Sequence, residues 1–303
     1  MPEFGPARVS LRAGDLEVEL APDVGGAVSA FRLRRPEGAI ALFRDSPASL
    51  DDVLEAGCFP LTPFVNRIRD GRFAFRGREV RLSPNLPPQR HPLHGQGWRS
   101  PWRVERADAD CAELSFRHEA GEWPWSYEAR QGFTLDPDGL SVTLSVVNTA
   151  REVMPCGLGL HPYFPANGET VLSTSVTEVL VVDEEIMPTG SEPAVGRYDL
   201  KERLIAGAGL DNGYEGWSGL AELRWPDRGV RVRITSSENA RRFQVYAPVE
   251  GGVVVAEPVT HANDAFSRPE AEWEALGLVL LPPGETMEMS ARFEVEAGAQ
   301  VRT

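Results

Sequence analysis

Pro137-Asp138-Gly139, followed by Leu140-Ser141-Val142-Thr143-Leu144-Ser145-Val146, decides the fold class. The first three residues are turn formers, and the next seven alternate between aliphatic and hydroxylic side chains without a break. Neighbouring side chains on a strand point to opposite faces, so this period describes a half-buried strand entered from a tight turn. The same reading extends outward. Upstream, Val9-Ser10-Leu11 and Leu16-Glu17-Val18-Glu19-Leu20 flank Gly14-Asp15, and Phe73-Ala74-Phe75 and Val80-Arg81-Leu82 flank Arg76-Gly77. Downstream come Val230-Arg231-Val232-Arg233-Ile234, Phe243-Gln244-Val245-Tyr246, Val253-Val254-Val255 and residues 287–295. Short alternating runs with turns between them are the pattern of antiparallel strands. Helical spacing is confined to residues 49–55 and 269–276, each long enough for a short helix, the second with Pro269 in its first turn. No repeat, low-complexity tract or linker divides the chain. The expectation is one all-β domain over 1–303, a large antiparallel β-sandwich.

Composition narrows the function. The chain has 303 residues, 42% hydrophobic and 25% charged, as expected of a globular protein with a full core. A net charge of −14 argues against nucleic acid or an anionic membrane as a partner, since both require basic patches. Lys201 is the single lysine and lies in the charged run Asp199-Leu200-Lys201-Glu202-Arg203, which reads as solvated surface. A Schiff-base lysine or a phosphate-loop lysine is therefore not expected. Cys58, Cys111 and Cys156 are odd in number and scattered, which is neither a disulfide framework nor a metal-spaced cluster. Met1-Pro2-Glu3-Phe4-Gly5 lacks a basic segment followed by an apolar one, and no run reaches membrane-spanning length. The expected location is the cytoplasm.

The residues that could carry chemistry are few. His161 follows the apolar, glycine-rich Cys156-Gly157-Leu158-Gly159-Leu160 and precedes Pro162; it is either a core histidine with a satisfied ring or an acid–base group. Glu257 ends the most hydrophobic strand, where a carboxylate is costly unless it is paired or at a pocket mouth, and burial would raise its pKa into the range of a useful base. A glutamate and a histidine in one pocket cover both halves of acid–base catalysis near neutral pH. Arg67 in Pro63-Phe64-Val65-Asn66-Arg67-Ile68 could hold a hydroxyl or carboxylate with its planar fork, or form a structural ion pair. His91-Pro92-Leu93-His94 raises a metal site, but without nearby cysteine or acidic ligands no metal is expected. His118 and His261 read as structural. Asp211-Asn212-Gly213 is a turn signal in isolation. Trp98, Trp102, Trp123, Trp125, Tyr163, Phe164 and Trp217 are explained mainly as core, although sugar sites also favour aromatic faces.

Taken in order, these pieces resemble the aldose 1-epimerase (galactose mutarotase) family. The similarity runs from Gly25-Gly26-Ala27-Val28-Ser29-Ala30-Phe31 through Asn66-Arg67-Ile68, residues 71–77, Pro92-Leu93-His94-Gly95, Asn148, Gly159-Leu160-His161-Pro162-Tyr163-Phe164 and Asp211 to Glu257-Pro258 and Pro283-Gly284-Glu285. The resemblance implies the galactose mutarotase-like supersandwich fold, with a sugar in an open cleft and no cofactor. It also implies that Glu257 takes the proton of the anomeric hydroxyl while His161 protonates the ring oxygen. Arg67, His94 and Asp211 would hold sugar hydroxyls, with Asn66 beside them. Pro165-Ala166 after the histidine motif and Trp123-Pro124-Trp125 depart from the better-known galactose mutarotases, which leaves the pair intact and the sugar open: a hexose or a pentose. The rival expectations are a sugar-phosphate 1-epimerase, a glycoside hydrolase or lyase using Asp211 and Glu257 as a carboxylate pair, and a sugar-binding protein without catalysis.

Overall fold

Strands Tyr127–Asp136 and Gly139–Asn148 pair antiparallel in full register, from Tyr127 opposite Asn148 to Asp136 opposite Gly139, and the Asp138 amide donates to the Asp136 carboxylate across the turn. This hairpin is the centre of a nine-stranded sheet in the computed structural model, which describes residues 8–298. Met1-Pro2-Glu3-Phe4-Gly5, read above for a leader, lies outside the described residues. On one side the hairpin continues through Thr286–Ala297, Val230–Ser236, Leu220–Trp225, Val171–Thr174 and Arg203–Leu204; on the other it continues through Cys111–His118 and Arg103–Ala107.

A second sheet of eight strands carries Glu257 and Asp211 and flanks His161. Its order is Pro188–Pro193, Glu178–Val182, Leu210–Glu215, Arg242–Ala247, Gly252–Val259, Gly159–Leu160 and Pro60–Leu61, with Tyr163–Ala166 also paired to Gly252–Val259. All strand pairs named in both sheets are antiparallel. The sheets meet through aromatic residues. Phe293 of the larger sheet lies edge-on to Phe43 at 4.9 Å, Phe43 lies edge-on to Phe164 of the smaller sheet at 5.2 Å, and the Trp225 indole donates to the Pro165 carbonyl at 2.7 Å. Burial of each such ring is worth about 1.5–3 kcal/mol, so these contacts fix how the site-bearing sheet sits on its partner. A four-stranded sheet, Val9–Ala13 to Ile40–Ala41, adds Leu11, Val18, Leu20 and Phe31 to the same core.

The two expected helices are a correction. Residues 49–55 yield only the 3-10 turn Val53–Glu55, with Asp52 capping the Leu54 amide, and residues 269–276 yield only Glu270–Glu272, with Pro269 as its N-cap. Seven or eight residues give too few hydrogen bonds to offset helix nucleation. In their place, single anchors set the path: Val53 is buried, and the buried Trp273 donates its indole N–H to Arg268. No α-helix occurs among the described residues, and none is long and apolar enough to cross a membrane.

Candidate active site

Glu257 and His161 meet because of one interruption in a ladder. Gly159–Leu160 and Tyr163–Ala166 both pair with the same edge of Gly252–Val259, and His161 and Pro162 fill the gap between them. Proline has no N–H to give to a ladder, so the break is natural there; the His161 amide turns instead to the Phe59 carbonyl at 3.0 Å. The imidazole stacks on Phe59 at 4.5 Å and 16° and directs Nε2 toward Glu257 Oε1, 3.6 Å away. That is close approach without a direct hydrogen bond. His161 is 8% exposed and Glu257 2%. Among the described residues, His161 Nδ1 and Glu257 Oε2 have no hydrogen-bond partner.

Asn66, Arg67 and His94 form the adjoining wall. Asn66 and His94 both adopt left-handed backbone, φ 58° and 59°, and exchange bonds: the His94 amide donates to the Asn66 carbonyl, and the Asn66 amide donates to His94 Nδ1, each at 3.0 Å. Gly95 follows at φ 71°, with its α-carbon so close to Thr62 that any side chain would strike the Thr62 carbonyl. An amide donating to Nδ1 puts the neutral ring's proton on Nε2, so His94 presents a donor. Its ring stands edge-on to His161 at 5.5 Å. Arg67 is steadied at three points: Nη1 donates to Asn66 Oδ1 at 3.0 Å, Nη2 to Gln89 Oε1 at 3.3 Å, and its backbone amide to Asn263 Oδ1 at 3.1 Å. Asp211 enters from Leu210–Glu215, where its Oδ1 accepts from Gln244 Nε2 at 3.0 Å; Gln244 lies directly opposite Glu257 on the intervening strand.

The electrostatics of the pair run against the ordinary order of these groups. Burial, with help from the Asp211 charge and against that of Arg67, raises the Glu257 carboxyl well above its usual range. Burial, followed by the positive charges of Arg44 and Arg67, pushes His161 down to about 3. His94 is likewise held well below its usual value by burial, then by His161 and Arg67, while burial raises Asp211 against Arg67 and Gln244. Burial thus favours the uncharged form of each partner, the carboxylic acid and the neutral imidazole. A compound presenting two oxygen atoms to such a pair can give a proton at one and receive it at the other.

The structure brings Glu257, His161, Arg67, His94, Asn66 and Asp211 to one region. Of the aromatic candidates, Tyr163 lies 4.8 Å from the His161 ring and Trp98 5.7 Å from that of His94, while the other histidines and Trp123 and Trp125 go elsewhere. His91 Nδ1 accepts from the Asp70 amide and His118 Nε2 lies 3.0 Å from the Trp123 carbonyl, while His261 is bonded at both ring nitrogens. Trp123 and Trp125 pack with Phe73, Phe75 and Phe266 in the core. Four contributors escaped sequence reasoning: Phe59 under the His161 imidazole, Gln244 on Asp211, and Gln89 and Asn263 on Arg67. Only Gln244 left a signal, as a polar residue inside the strand run Phe243-Gln244-Val245-Tyr246.

The chain is thus an antiparallel sandwich with a buried carboxyl–imidazole pair beside an arginine, a second histidine and an aspartate. Residues 8–294 match the aldose 1-epimerase family, and the chain belongs to that family. The Escherichia coli K12 protein YphB is 31% identical across 94% of this chain and 98% of its own length. A solved structure from Escherichia coli K12, provisionally described as an aldose 1-epimerase, superposes with a TM-score of 0.87 at 28% identity, covering 96% of this chain and 99% of that one. The galactose mutarotase of Rattus norvegicus is 24% identical over 76% of this chain and 78% of its own.

Proposed function

We propose that this protein is an aldose 1-epimerase that interconverts the α and β anomers of a free hexose or pentose, with Glu257 and His161 as its catalytic pair. The observation that carries the reading is the 3.6 Å approach of His161 Nε2 to Glu257 Oε1 in a buried wall. Ring opening needs a proton to leave the anomeric hydroxyl and another to reach the ring oxygen. The Glu257 carboxylate takes the first, the His161 imidazolium delivers the second, and the bond from C1 to the ring oxygen breaks to give the aldehyde. Rotation about C1–C2 exposes the other carbonyl face. On closure, neutral His161 takes the proton from the attacking hydroxyl and Glu257 returns its own to the carbonyl oxygen. Each positioned transfer is typically worth on the order of 10²–10⁴ in rate.

The direction in which burial shifts the pair bears on this cycle at one point. Carboxylic acid and neutral imidazole are what ring opening leaves behind, and they are also the forms that burial favours in the free protein. Ring opening starts from the charged pair that burial disfavours and discharges it. His94 Nε2–H and the Arg67 guanidinium supply donors for hydroxyls, and Asp211 supplies an acceptor. Asn66 holds Arg67 through Oδ1, and its amide nitrogen remains for the sugar.

Glu257→Gln tests the assignment. It should lower turnover by roughly 10²–10⁴ while calorimetry still detects sugar binding. Wild-type turnover in this variant would show that Glu257 is not the base.

A further inference from the structure

Resting on that reading, one feature of the structure deepens it. Beside Arg67, on the side bearing Gln89, lies a cavity of about 360 Å³, within the range of small-ligand sites. Arg67 lines it, and the same guanidinium reaches Asn66 through Nη1 and Gln89 through Nη2, so it stands between the catalytic pair's surroundings and this outer space.

The outer wall is built rather than incidental. Ile186 adopts left-handed backbone at φ 61°, which a β-branched residue holds only under constraint. Three constraints are present. The Asp183 carboxylate accepts from the Glu185 and Met187 amides at 2.9 and 3.0 Å, and the Met187 side chain is fully buried. The third is Asn263: its Oδ1 accepts from the Arg67 amide, and its Nδ2 donates to the Ile186 carbonyl at 2.9 Å. One buried amide therefore fixes the cavity wall to the site arginine.

The charges of the cavity select what it can hold. Arg90 is already matched by two carboxylates, Asp70 at 3.0 Å and Glu185 at 2.9 Å, and Glu184 stands exposed at the rim. A phosphate here would face Glu184 and Glu185, with Arg90 already paired and Arg67 bonded to Asn66 and Gln89 and turned to the sugar itself; like charges in such a setting repel. Neutral hydroxyls can use both signs, as donors to the carboxylates and acceptors from guanidinium or the Gln89 amide. The anomeric hydroxyl of the reacting sugar has to remain free at Glu257, so anything in the outer cavity is joined through another hydroxyl.

We propose that this cavity is a second subsite for an uncharged sugar ring, which makes neutral reducing disaccharides, rather than sugar phosphates, the preferred extended substrates of this protein. Calorimetry with glucose, its 4-linked and 6-linked glucosyl disaccharides (maltose and isomaltose) and glucose 6-phosphate tests it, on wild type and on Glu184→Trp, an exposed position from which the indole fills the cavity. At least one disaccharide should bind roughly tenfold more tightly than glucose, equivalent to about 1.4 kcal/mol. Glu184→Trp should erase that advantage and leave glucose affinity unchanged, and glucose 6-phosphate should bind more weakly than glucose. Equal affinity for glucose and both disaccharides, tighter binding of the phosphate, or equal weakening of all ligands in the variant would overturn the subsite. Anomer exchange followed by NMR on the same samples separates the two proposals: a disaccharide advantage without exchange would reject the epimerase and keep the subsite, and exchange with glucose alone would do the reverse.

Discussion

His161 and His261 flank one strand, Gly252–Val259, and are both buried, but their surroundings differ in a decisive way. His261 accepts the Val65 amide at Nε2 and gives Nδ1–H to the Ala262 carbonyl, both at 2.8 Å, so each ring nitrogen is used by the fold. Among the described residues, His161 has Nδ1 without a partner and Nε2 held 3.6 Å from Oε1 of a carboxyl whose Oε2 has no partner either. A buried polar atom left unpaired costs on the order of 1–3 kcal/mol. His261 therefore spends both ring nitrogens on the fold, while His161 spends neither. Burial depresses both histidines, to about 4 and about 3, so a shifted pKa does not distinguish the two roles; the pattern of partners does.

Substitution should split the two histidines most sharply. His161→Asn should lower turnover by on the order of 10²–10⁴ with little change in unfolding midpoint. His261→Ala should do the opposite, stripping the Val65 amide of its acceptor and costing about 1–3 kcal/mol in urea unfolding while folded protein keeps its turnover number. Matching losses of stability in both variants would erase the distinction.

A smaller effect concerns pH. A pair that works with one proton should lose activity at high pH when the raised Glu257 carboxyl gives it up, and at low pH when the depressed His161 gains a second. The alkaline limb thus belongs to the carboxyl and the acid limb to the imidazole, the reverse of the free side chains. Because the Asp211 charge raises Glu257, Asp211→Asn should move the alkaline limb of the pH–rate profile toward lower pH; an unmoved limb would detach that limb from Glu257.

The gentlest test is stability itself. His94, His161 and His261 have folded pKa values below the unfolded value of 6.5, so their contribution is full above that pH and is lost as pH falls through the folded values. Each neutral buried histidine should lower unfolding free energy by up to about 1.4 kcal/mol per pH unit below about 6.5. The raised Glu257 and Asp211 carboxyls act in the opposite sense over the same range, so the reading is a difference: the change in urea midpoint from pH 7 to 4.5 should be less destabilising in His161→Asn than in wild type, and an identical slope in that variant would contradict a histidine kept neutral by burial.

Much of the fold was legible because alternation is local. The run from Leu140 to Val146 and the turns at Gly14-Asp15 and Arg76-Gly77 declare strands within a few residues, and the structure forms them there. The same local reading suggested helices at 49–55 and 269–276, where packing of Val53 and Trp273 prevails over weak periodicity. In the candidate site, Glu257 and His161 were visible because a carboxylate in an apolar strand and a histidine after glycine-rich apolar sequence are locally odd. Asn263 was not, since its meaning lies in a bond to Arg67, 196 positions away, and Gln89 owes its place to a bond spanning 22. Residues that hold other residues leave no mark in a chain read one window at a time.

Polarimetry of freshly dissolved α-D-galactose and α-D-glucose, in weakly catalytic buffer with and without the protein, reads the central claim most directly. The protein should speed the approach to an unchanged final rotation for at least one of the two sugars. Identical decay curves with and without protein, for these hexoses and then for pentoses, would contradict an aldose 1-epimerase.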